Sequence, residues 1–62
     1  GDQMLNPNVA ALDTFEFSKK LAAVDPEEAR EGFEAALDIA EAAVVPDEAL
    51  IARIKAELEE AA

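Results

Sequence analysis

Carboxylates are the only reactive side chains this chain offers in number. Five of them, Glu27, Glu31, Glu34, Asp38 and Glu41, are spaced four, three, four, three. On a helix that spacing draws one line along one face. Such a row can hold a cation, exchange protons, or present fixed negative charge to a basic partner. Proton exchange near neutral pH is mostly the work of histidine, and the chain has no His, Cys, Tyr or Trp. Ser18 is the single serine, and nothing in the sequence can act as its histidine base. The chain therefore reads as a non-enzyme with no cofactor. Calcium loops need oxygen ligands at fixed steps around a glycine turn. Gly32 is the only glycine after Gly1, and it falls inside a helical pattern. No metal site and no phosphate-cradling loop are expected.

Fixed charge remains. Fifteen acidic residues against five basic ones give a net charge of −10. Phosphate backbones and anionic membrane surfaces repel such a chain, whereas basic proteins attract it. The expected partner is thus another protein, not nucleic acid and not a membrane. Like charges three and four residues apart cost about 0.2–0.5 kcal/mol per pair, so four successive pairs cost roughly 1–2 kcal/mol. Only Arg30 lies close enough to offset this. The row reads either as the solvated face of an acidic protein or as a docking face for a basic partner, a mimic of a phosphate row.

The elements that carry these residues are punctuated by prolines at 7, 26 and 46. Proline suits the first position of a helix, where its missing N–H has no partner. Asp25 can cap the segment behind Pro26, with Glu28 reaching back. Val45, before Pro46, has no capping side chain, so that start is free to shift by a residue. From Pro26 the apolar positions Ala29, Phe33, Ala36, Leu37, Ala40, Ala43 and Val44 share one helical face. From Pro46, Leu50, Ile51, Ile54, Leu58 and Ala61 form a narrower stripe. The first helix has two possible starts, Asn6-Pro7 and Asp13-Thr14-Phe15-Glu16, and is expected to be firm from Asp13. The acidic end Glu57-Leu58-Glu59-Glu60 opposes the helix dipole and is expected to fray. The stretch AAVDPEEA at 22–29 returns as AAVVPDEA at 42–49, but the match ends there. The two octamers are read as the two helix junctions, not as a repeat.

The expected fold is all-α: one small domain of three helices, roughly 8 or 13 to 24, 26 to 44 and 46 to 60. Residues 1–7 are expected to form a flexible tail, with Gly1-Asp2-Gln3 ahead of Met4 reading as a cleavage remnant or the edge of a longer chain. Fifteen of the apolar residues are alanines, leaving 17 large apolar side chains. A core this small supplies at most about 3–5 kcal/mol, and without cysteine nothing staples it. Self-association, as a homodimer, is therefore an expectation. No run approaches the length of a membrane span or signal sequence, and with no cysteine a cytoplasmic setting is expected.

Phe15 and Phe17 sit two apart on one helix and point about 160° away from each other. A small core encloses one easily. Either the first helix is sandwiched and buries both, or one of them, with Leu21 or Val9, sits in an interface. The candidate apolar interface is Phe15, Phe17, Leu21 and Val24, with Gly32 as a point of close backbone approach. Glu16 and Lys20 are spaced to form an ion pair on the same helix. The expected function is a docking, adaptor or assembly module using that apolar face. The alternative is an acidic inhibitor that occupies the nucleic-acid site of a basic protein through the carboxylate row.

Overall fold

A computed structural model describes residues 6–61. Within them the chain forms three helices: α1 (Pro7–Leu21), α2 (Pro26–Glu41) and α3 (Glu48–Ala61). The expectations for residues 1–5 and for the Ala61 side chain lie outside the described residues.

The first helix begins at the earlier of its two candidate starts. Asn6 is the cap, accepting from the Asn8 N–H at 3.0 Å, and Pro7 occupies the first helical position. Asn6 and Pro7 thus belong to the helix rather than to a tail, and Asp13 lies mid-helix. The end comes at Leu21 instead of Val24, where the Val24 and Asp25 N–H groups both donate to the Leu21 carbonyl at 2.9 and 2.8 Å. Asp25 then caps α2, accepting from the Glu28 N–H at 3.2 Å. The Asp25 cap follows the sequence reading, but the Asp25 N–H bonds the Leu21 carbonyl, so Glu28 does not reach back to it.

The second junction does not. Helix α2 stops at Glu41, three residues short of the expected end, and Val44 is 97% exposed instead of facing the core. Helix α3 starts at Glu48, with Asp47 accepting from the Leu50 N–H at 3.2 Å. Capping chemistry decides this: Asp47 has the acceptor that Val45 lacks, so Pro46 stays outside the helix. At its far end α3 runs through the acidic stretch to Ala61, and Leu58, packed against the core, anchors that last turn.

Helix α2 is the centre of the molecule. It packs against both α1 and α3, which meet each other much less. The core comprises Ala11 and Phe15 of α1, Ala29, Phe33, Ala36 and Ala40 of α2, and Leu50 and Ile54 of α3. Only four of these eight are large. Phe15 and Phe33 meet with ring centroids 5.6 Å apart, tilted by 54°. Two cations flank the Phe15 ring, Lys19 Nζ at 5.5 Å and Arg53 Cζ at 5.3 Å from its centroid. Lys19 and Arg53 therefore shield what little of Phe15 the helices leave uncovered.

The close approach expected at Gly32 is made within the chain. A Cβ added there would overlap Ser18 Oγ and stand 3.0 Å from Ser18 Cβ. Ser18 is buried at that contact. Gly32→Ala gains up to about 1 kcal/mol of helix propensity but forces α1 and α2 apart, and overpacking costs roughly 1–3 kcal/mol. The expected outcome in urea denaturation is net destabilisation, partly recovered when Ser18→Ala is added, because the two sites share one contact.

The sequence reading did not single out Asn8. Its Nδ2 donates to the Val45 carbonyl at 2.9 Å, and its Oδ1 accepts from the Asp47 N–H at 3.1 Å. One amide thus ties the start of α1 to the junction between α2 and α3. Asn8→Ala removes both bonds and should lower stability by about 1–2 kcal/mol, measured by the same denaturation.

Candidate interaction surface

Ser18 is buried against Gly32, which leaves the chain's one serine with a packing role and no access to a substrate. Among the described residues there is no cluster of three or more His, Cys, Asp or Glu able to hold a metal ion. No described helix is long and apolar enough to cross a membrane.

The expected apolar interface divides in two. Phe15 is 1% exposed, and the close approach at Gly32 is taken by Ser18 of the same chain, so both leave the candidate surface. Phe17 is 67% exposed, which excludes the sandwiched first helix that would have buried both rings. Leu21 is half-buried at the edge of the core, and Val24, in the turn beyond α1, is 80% exposed. Because Phe15 faces Phe33 of α2 and Arg53 of α3, Phe17 projects from the flank of α1 turned away from α3.

A groove lies between α1 and α3, where Val9 and Leu12 of α1 stand near Leu50 and Arg53 of α3. Sequence periodicity gave Val9 no partner across the bundle, because that proximity depends on how Asn8 holds the α2–α3 junction.

All five carboxylates of the α2 row are exposed. Arg30 Nε stands 3.8 Å from Glu34 Oε2, the one ion pair among the described residues. Exposed pairs of this kind contribute about 0.2–1 kcal/mol. Arg30 also lies with Pro26, Glu27 and Glu31 around an open depression at the start of α2. The expected Glu16–Lys20 pair is not formed; Lys20 has no ion-pair partner among the described residues.

Compared with known proteins, the chain matches no family model, no curated protein and no solved structure.

The split between the two phenylalanines is measurable. Phe15→Ala removes a buried ring at a cost of about 3–5 kcal/mol, as much as the whole core supplies, and should unfold the domain. At a protein concentration where the chain is monomeric, Phe17→Ser should change stability by no more than about 0.5 kcal/mol. Far-ultraviolet circular dichroism during thermal melting distinguishes the two results.

Proposed function

We propose that the chain is a non-catalytic protein–protein interaction module, a docking or assembly domain that binds through the outer flank of α1. The observation that carries this reading is Phe17, exposed to water within α1. Burying such a ring in a partner is worth roughly 1.5–3 kcal/mol. Leu21 one turn on and Val24 beyond the helix end extend the same apolar flank. A single exposed ring is ordinary on a protein surface; an aromatic ring with apolar neighbours on one flank has the make-up of an interface core. The partner is a protein; a charge of −10 disfavours nucleic acid and anionic membranes. A cytoplasmic setting belongs to this proposal.

The α2 row supports a second reading, an acidic inhibitor that fills the nucleic-acid site of a basic protein. Its support is five exposed carboxylates with one arginine among them. The two readings differ in their response to salt, since the screening length falls to about 3 Å at 1 M.

A displayed peptide library panned against the wild-type domain separates them. Under the first reading, selected peptides persist at 1 M salt and lose at least about tenfold in affinity on Phe17→Asp, the loss expected for one aromatic anchor. They also tolerate charge reversal at Glu27, Glu31 and Asp38. Peptides that ignore Phe17→Asp but are lost with salt or with charge reversal on α2 would overturn the first reading in favour of the second.

A further inference from the structure

The outer flank of α1 has an internal order that points to its occupant. Ala10, Thr14, Phe17, Leu21 and Val24 are spaced four, three, four, three. That spacing draws one line along the helix, as a seam between two side-by-side helices requires. The seam runs next to the buried line Ala11–Phe15–Ser18, displaced from it by one residue and so by about 100° around the helix. Its first four members lie within α1, and Phe17 and Val24 are its most exposed.

One local charge pair favours a second copy as occupant, against the general repulsion between two chains of −10. Asp13 and Lys20 each precede a seam residue, Thr14 and Leu21, and both are exposed without an ion-pair partner among the described residues. They stand seven residues apart, about 10.5 Å along the axis, on the same edge of the seam. In an antiparallel pair of identical helices, this edge meets itself. Asp13 of one copy then comes beside Lys20 of the other, twice over by the two-fold symmetry. Size fits the same alignment: the large Phe17 and Leu21 face the small Thr14 and Ala10 of the second copy.

We propose that this flank is the seam of an antiparallel homodimer, with Asp13 and Lys20 fixing its direction. The proposal rests on the reading of α1 as the docking flank and commits that flank to a second copy of this chain. It also meets the need of a core with four large side chains and no cysteine, since oligomerisation is one of the few staples open to so small a domain.

The test is sedimentation equilibrium over a hundredfold range of concentration, at low salt and at 1 M. The wild-type chain is expected to dimerise under both conditions. At low salt Lys20→Glu should weaken the dimer by about tenfold, because two attractions become two repulsions. Adding Asp13→Lys should restore it, since the pair is then reversed but intact. At 1 M salt the three proteins should converge. Circular dichroism checks that each variant keeps its helices. A wild-type monomer throughout, or a dimer that Lys20→Glu leaves unchanged or that Asp13→Lys fails to rescue, overturns the homodimer. None of these results decides the docking reading, which the peptide selection tests with a different partner.

Discussion

The contact of Phe15 with Phe33 sets the rotation of α1 about its own axis, and most of the molecule follows from that angle. With Phe15 inward, Ala11 and Ser18 face α2 along the same line, and Asn8 at its head reaches the α2–α3 junction. These four residues are spaced three, four, three, so one helical line makes the aromatic contact, the small-residue crossing at Gly32 and the clamp on the second junction. The same rotation leaves Phe17 outside. A helix cannot turn both rings toward one side when they stand about 160° apart.

The core explains why this geometry bears on function. Half of its residues are alanines, which allow close helix approach but bury little surface each. Two cations over the Phe15 ring close an edge that an apolar side chain would cover in a larger domain. Every large apolar group left in water is then a large fraction of the available stabilisation. Phe17 matters for that reason: its burial in an interface is comparable to half of what the core supplies. The acidic row on α2 acts in the opposite sense, adding repulsion that one Arg30–Glu34 pair only partly relieves.

The three-helix architecture and the run of α2 from Asp25-Pro26 were legible in the sequence, because a cap, a proline and a regular apolar face agreed there. The remaining boundaries required competitions that a pattern does not rank. Asn6 and Asp13 are both competent caps, and the helix took the earlier one, which also brings Asn8 to Val45 and Asp47. Val45-Pro46-Asp47 resembles Val24-Asp25-Pro26 in composition, yet the acid follows the proline instead of preceding it, and the cap moved with it. Periodicity assigned Val44 to the core because it fits the face of a helix that in fact ends at Glu41. For the candidate surface, the sequence narrowed the spare ring to two residues without choosing. The choice came from the long-range fit of Ser18 to Gly32 and of Phe15 to Phe33, to which no local signal points.

Phe17 lies outside the fold, and the proposed interface would cover it. Fluorine NMR of the chain with fluorophenylalanine in all three positions, in the presence of a soluble paramagnetic probe, reads each ring separately. At low protein concentration the Phe17 signal should broaden strongly while those of Phe15 and Phe33 stay sharp. On raising the concentration Phe17 alone should become protected. Protection of Phe17 in a sample that sedimentation shows to be monomeric, or access of the probe to Phe15, would contradict this rotation of α1.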